Sequence, residues 1–241
     1  MKKLLFFFFL ISNISYLTSV FSQENIYTVG FQIKPMLVSS FFNTGKGNAT
    51  QNNVDFSVLQ QSGYCGGMII RRGFTKRFSM EFGINYVKRN YALTLKDSSF
   101  VDKSHFTIIG YEIPVMGMIF LRVAPKIFMT TGFGLSCDMY PSDVATTDDY
   151  FKHYSQRHSM FQSAVLANLA YEFRTEKSGY FNIGASYHLP FTNIYYTNID
   201  FLPANIVQIK LPGNYLTIDF RYFFYEKPIK QKVKKKKHEK A

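Results

Sequence analysis

The stretch Phe78-Ser79-Met80-Glu81-Phe82-Gly83-Ile84-Asn85-Tyr86-Val87 decides how this chain is read. Phe78, Met80, Phe82, Ile84 and Tyr86 take every second position, with Ser79, Glu81, Gly83, Asn85 and Val87 between them. Successive side chains of an extended strand point to opposite faces, so this run has one aromatic and aliphatic face and one face of small or charged groups.

The same period recurs along the chain. Tyr27, Val29, Phe31 and Ile33 alternate with Thr28, Gly30, Gln32 and Lys34. Phe161 to Phe173, Phe181 to Leu189 and Leu216 to Phe224 repeat it. Eight windows follow: 26–41, 56–71, 77–93, 105–121, 126–140, 159–174, 179–191 and 214–225. They exceed the roughly 5–6 residues of an ordinary soluble strand. They suit a tilted membrane-crossing strand of about 9–11 residues with extensions. The connections alternate long and short, from 43–55 and 72–76 through 96–104, 122–125, 141–158 and 175–178 to 192–213. The expected fold is therefore all-β, an eight-stranded antiparallel up-and-down transmembrane β-barrel with both termini in the periplasm. Tyr64, Tyr86, Tyr91, Tyr111, Tyr140, Tyr171 and Tyr222 are expected at the membrane interfaces. A soluble ligand-carrying barrel or sandwich is the alternative, since sequence alone does not say which face points inward.

Composition agrees with one folded body. Of 241 residues 46% are hydrophobic and 18% aromatic, enough apolar surface to exclude disorder over most of the chain. Cys65 and Cys137 are too few for a disulfide scaffold. Lys2 and Lys3, the apolar run 4–11 and the small-residue site Val20-Phe21-Ser22 predict a signal peptide over 1–22, ahead of a barrel over 23–225. A chain that leaves the cytoplasm does not use its net charge of +12 on nucleic acid. Eight lysines against two glutamates crowd into 226–241, which predicts a disordered basic periplasmic tail.

An eight-stranded interior is filled by side chains. Its charges need partners, so Glu81, Glu112, Glu172 and Asp219 are expected to pair with Arg71, Arg89, Arg174 and Arg221 as a structural plug. No nucleophile elbow or paired metal-binding histidines occur, and His105, His153, His158, His188 and His238 are scattered. No catalytic residue and no cofactor is expected. Asp143, Asp148 and Asp149 offer at most weak oxygen ligation of a divalent cation. Phe201, Leu202, Ile206 and Val207 make the last long connection apolar, which points to a partner contact. Lys234, Lys235, Lys236 and Lys237 are candidates for contact with anionic lipid, cell wall or an acidic partner.

The stretches Gly63-Tyr64-Cys65-Gly66-Gly67-Met68, Arg77 to Tyr86, Tyr111-Glu112-Ile113-Pro114-Val115 and Pro125-Lys126 leading into Thr131-Gly132-Phe133-Gly134-Leu135 carry a resemblance. Over 24–225 the chain resembles the small outer-membrane β-barrel proteins of Bacteroidetes, the porin-like or PorT-like barrel family. The resemblance implies a Gram-negative outer-membrane barrel without shared catalytic residues. Some relatives serve type IX secretion and gliding, which makes protein export an expectation. The role expected is a non-enzymatic structural or accessory subunit, in contact with outer-membrane lipids and with other outer-membrane or periplasmic proteins. The alternatives are a narrow small-solute porin and a lipid-modifying enzyme with His158 and Ser159 at its rim.

Overall fold

A computed structural model describes residues 26–39, 42, 44–97, 100–147, 151–175, 177–201 and 205–225, with backbone only for Phe201 and Asn205. The expected signal peptide, the basic tail with Lys234, Lys235, Lys236 and Lys237, and Leu202 lie outside the described residues.

Thirteen strands are formed: β1 Tyr27–Leu37, β2 Lys46–Gln51, β3 Val54–Gly73, β4 Phe78–Lys96, β5 Val101–Ala124, β6 Ile127–Met139, β7 Val144–Thr147, β8 Phe151–Arg157, β9 Phe161–Arg174, β10 Tyr180–Pro190, β11 Tyr195–Phe201, β12 Asn205–Leu211 and β13 Tyr215–Phe223. Nine of them lie in one sheet, in the order β1-β13-β10-β9-β6-β5-β4-β3-β2, and β1 also pairs with β3, so the ladders return on themselves. The other four form a second sheet, β12-β11-β8-β7.

This overturns the eight-stranded up-and-down barrel expected from the alternation: the described residues build thirteen strands in two separate sheets. The physical reason lies in the long connections. Segments 43–55, 141–158 and 192–213 do not stay as loops but pair into β2, β7, β8, β11 and β12. The neighbouring strands lengthen with them, β5 to 24 residues. Asn52 and Asn53, both at positive φ, make the tight turn between β2 and β3.

Along the long strands the polarity of the two faces reverses. On β5 the inward row runs from Ser104, Phe106 and Ile108 to Glu112 and on to Met116, Met118 and Phe120, while the outward row runs from Val101, Lys103 and His105 to Ile113, Val115 and Ile119. On β4 the inward residues Leu95, Leu93 and Tyr91 give way to Arg89, Asn85 and Glu81, and outward Lys96 gives way to Ile84, Phe82 and Phe78. One end of the molecule is thus apolar inside and polar outside, as water requires. The remainder is apolar outside and mixed inside, where the buried charges lie beside a small apolar cluster of Met116, Met118, Phe120, Phe128 and Leu166.

Strand β3 keeps step by means of a bulge. Its ladder with β4 slips between Gln60 and Gly63, where one extra residue enters β3. Buried positions are therefore even-numbered before the slip, at Val54, Phe56, Val58 and Gln60, and odd-numbered after it, at Cys65, Ile69 and Arg71. Without the extra residue Arg71 would face outward.

The apolar end is closed by the second sheet. Val54, Phe56, Val58, Tyr91, Leu93, Leu95, Phe106 and Ile108 pack with Phe151, Ile199, Val207, Ile209 and Leu211 in one cluster. Gly47 lets β2 come close to β12, because a Cβ there would lie 2.5 Å from Ile209 Cγ2 and 2.9 Å from the Lys210 carbonyl. Leu211 is fully buried in this cluster. Leu211→Ala is expected to cost about 2–5 kcal/mol. The checks are a lower urea midpoint and faster proteolysis in β11 and β12.

Candidate functional site

Buried charges on the inward rows of the nine-stranded sheet fall into two clusters. Seven of them form a chain of alternating sign across β9, β3, β4, β13 and β1. Arg174 Nε donates to Glu172 Oε1 at 2.7 Å, and Arg71 Nη1 donates to Glu172 Oε2 at 2.5 Å. Arg71 Nε reaches Glu81 Oε1 at 2.8 Å, directly across the β3–β4 ladder. Arg221 joins Glu81 Oε2 at 3.0 Å to Asp219 Oδ2 at 2.7 Å, and Lys34 Nζ lies 3.9 Å from the same Asp219 oxygen. Asp219 also accepts hydrogen bonds from Thr217, Ser186 and Asn168.

Phenyl rings cover the guanidinium faces: Phe223 lies 3.9 Å from Arg71 and Phe128 lies 3.9 Å from Arg174. All seven groups are buried, four cations against three carboxylates. Charges held out of water need this much compensation, because the desolvation cost is several kcal/mol per ion.

A second cluster lies nearer the apolar end. Glu112 on β5 and Asp138 on β6 are direct cross-strand partners, an arrangement that opposes two like charges. Arg89 Nη2 stands 3.6 Å from Glu112 Oε1, and the Tyr215 hydroxyl donates to that same oxygen. Ser136 donates to Asp138 Oδ1. His188 of β10 stacks on Tyr215, with ring centres 4.5 Å apart, and brings Nε2 to 2.8 Å from Asp138 Oδ2 and 3.7 Å from Glu112 Oε1. Glu112, Asp138 and His188 are the group among the described residues whose ligand atoms converge as a metal site requires, all within 4.8 Å of one another.

Sequence reasoning missed Lys34, Asp138 and the role of His188. The signal was present in the alternation: Lys34 continues the row of Thr28 and Gln32, and Asp138 that of Ser136.

The other candidates separate. Ile206 is exposed at the edge of an open groove shared with Thr146, Tyr154, Asn198 and Asp200, whereas Val207 points into the apolar cluster. The apolar connection is thus the β11–β12 hairpin. Only the backbone of Phe201 is described. His158 packs edge-on against Tyr196, and Ser159 gives its carbonyl to Gln162 Nε2. His153 instead approaches a serine, with Nε2 2.7 Å from Ser155 Oγ, but Ser155 is wholly buried and bonded on to Thr197. Asp143 accepts from the Arg157 backbone N–H at 3.0 Å and the Tyr154 hydroxyl at 2.9 Å, and these bonds hold its carboxyl below the usual range. Asp148 and Asp149 lie outside the described residues.

No family model matches the chain, and no curated protein matches it by sequence. Among solved structures, the outer membrane protein OprG from Pseudomonas aeruginosa is similar, with a TM-score of 0.57 and 13% identity, over 84% of this chain and 97% of that one. At that identity what the two chains share is the fold.

Proposed function

We propose that this chain resides in the outer membrane of a Gram-negative bacterium and acts there as a non-enzymatic structural or accessory subunit of a larger assembly. The observation that carries the location is the inverted polarity of the nine-stranded sheet. Phe31, Ile33, Phe133, Leu135, Leu169 and Ile183 face outward and are about half exposed or more, while Arg71, Glu81 and Glu172 are buried. Water penalises both halves of that arrangement, and hydrocarbon outside rewards both. The likeness in fold to an outer-membrane protein supports the same reading.

In this reading both termini face the periplasm. Tyr27 and Phe223 lie at the end where the short turns 74–77, 125–126 and 175–179 join consecutive strands. The apolar end with the second sheet then projects outward into water.

The accessory role is supported by what fills the interior. The ionic chain, the Glu112 cluster and the apolar cluster follow one another along the enclosed space. That stacking opposes a small-solute porin. We place the contact with a partner protein at Ile206 and at the basic tail carrying Lys234 to Lys237, and we retain type IX-like secretion, suggested by the PorT-like resemblance, as the class of assembly.

The test is a pull-down from outer membranes in mild detergent, comparing the full chain with one ending at Tyr225. A defined set of partners that is lost on truncation is the expected result. A protein that runs alone in both forms overturns the accessory role.

A further inference from the structure

We propose that Glu112, Asp138 and His188 bind one divalent d-block cation of the zinc class, taken up as the strands assemble. The donors are one imidazole and two carboxylates, a set that suits zinc, manganese or iron. They come from three strands, β5, β6 and β10, and each is almost wholly buried.

The hydrogen bonding leaves the centre of the cluster unfilled. Asp138 Oδ2 and His188 Nε2 face each other at 2.8 Å as an ion pair, but the ring N–H is poorly aligned on the oxygen and neither atom finds a hydrogen-bond partner elsewhere. His188 Nδ1 is likewise without one. Buried polar atoms are rarely left this way, and an unfilled ion site is one cause. Two ligands of a tetrahedral ion with bonds near 2.0–2.1 Å stand about 3.3 Å apart. The contacts of 2.8 and 3.7 Å bracket that distance and all three ligand atoms lie within 4.8 Å of one another, so side-chain rotation without movement of the strands admits the ion.

Supporting contacts are in place. Ser136 holds Asp138 Oδ1, while Tyr215 and Arg89 hold Glu112 Oε1. Such neighbours orient carboxylates that ligate metals. Two carboxylates stand opposite each other across the β5–β6 ladder, against Arg89 and the imidazole of His188, and a bound cation would offset that like-charge pair. Interior packing on both sides of the cluster makes loading a step of folding, so that metal binding and folding are coupled.

The experiment refolds the full-length chain into detergent with excess Co2+ or Zn2+, desalts it, isolates the folded form and measures bound metal. About one ion per folded chain is expected, with visible d–d absorption and a hyperfine-shifted imidazole proton for Co2+. His188→Gln and Asp138→Asn are each expected to lower occupancy at least about tenfold, while His105→Gln, at an exposed histidine, leaves it unchanged. A folded wild-type chain without metal overturns the proposal. So does occupancy unchanged in folded His188→Gln and Asp138→Asn. Where those variants do not fold, the wild-type stoichiometry and the shifted imidazole proton decide, and absence of either overturns it.

Discussion

Replacing Glu172 by Leu is expected to lower the stability of the folded chain by about 3–5 kcal/mol, the cost of breaking a buried ion pair from one side. Glu172 is the shared acceptor of Arg71 and Arg174, and it has no exposed surface. The ionic chain already holds Lys34, Arg71, Arg174 and Arg221 against Glu81, Glu172 and Asp219. Removing this carboxylate strands Arg174, leaves Arg71 with Glu81 alone, and doubles the excess of positive charge. Removing Arg174 instead leaves three cations against three carboxylates, so Arg174→Leu is expected to cost less than Glu172→Leu. The double variant removes charge of both signs and is expected to recover most of the loss, because a well-packed apolar pair often replaces an ion pair without penalty. Urea titrations of the folded form in lipid vesicles give the order. Equal costs for the two single variants would show that the network is not governed by charge balance.

Leu169→Arg is the second large effect. Leu169 points outward from the middle of β9 and is 57% exposed. On a water-facing surface such a change stays within about 0.5 kcal/mol. On a lipid-facing strand an arginine near the bilayer midplane costs about 2–4 kcal/mol, falling toward the interfaces. The same substitution at His105, outward on β5 beyond the change of polarity, is expected to be neutral. Folding yields and urea midpoints in vesicles separate the two positions. The contrast between them matters more than either value, since both are exposed positions on strands of one sheet.

Much of this architecture was readable from alternation. The outward rows of Phe78 to Tyr86, Phe161 to Phe173 and Phe181 to Leu189 were visible because a period of two survives whichever face turns inward. The inward direction was not readable, because either face can be buried until the solvent outside is known. Strands β7 and β8 were lost for a different reason: Val144–Thr147 is only four residues long, and Phe151, His153 and Ser155 show a buried row only once β11 packs beside them. The bulge between Gln60 and Gly63 shifts the buried positions within one strand, so no single alternation describes β3. Within the interior, the acids and arginines were found by their parity, and Arg71, Glu81 and Glu172 do meet. His188 was placed on the polar face, but its convergence with Glu112 and Asp138 depends on the cross-strand register, which one sequence does not reveal.

In the proposed membrane setting the outward rows meet lipid up to the change of polarity and water beyond it. The chain contains no tryptophan, so a single introduced indole reports without background. The direct measurement places Trp at Phe133 in one variant and at His105 in another, folds each into vesicles, and compares quenching by lipids brominated on their acyl chains. Blue-shifted, strongly quenched emission is expected for Phe133→Trp and red-shifted, unquenched emission for His105→Trp. Unquenched emission from Phe133→Trp in the folded protein would contradict the membrane setting.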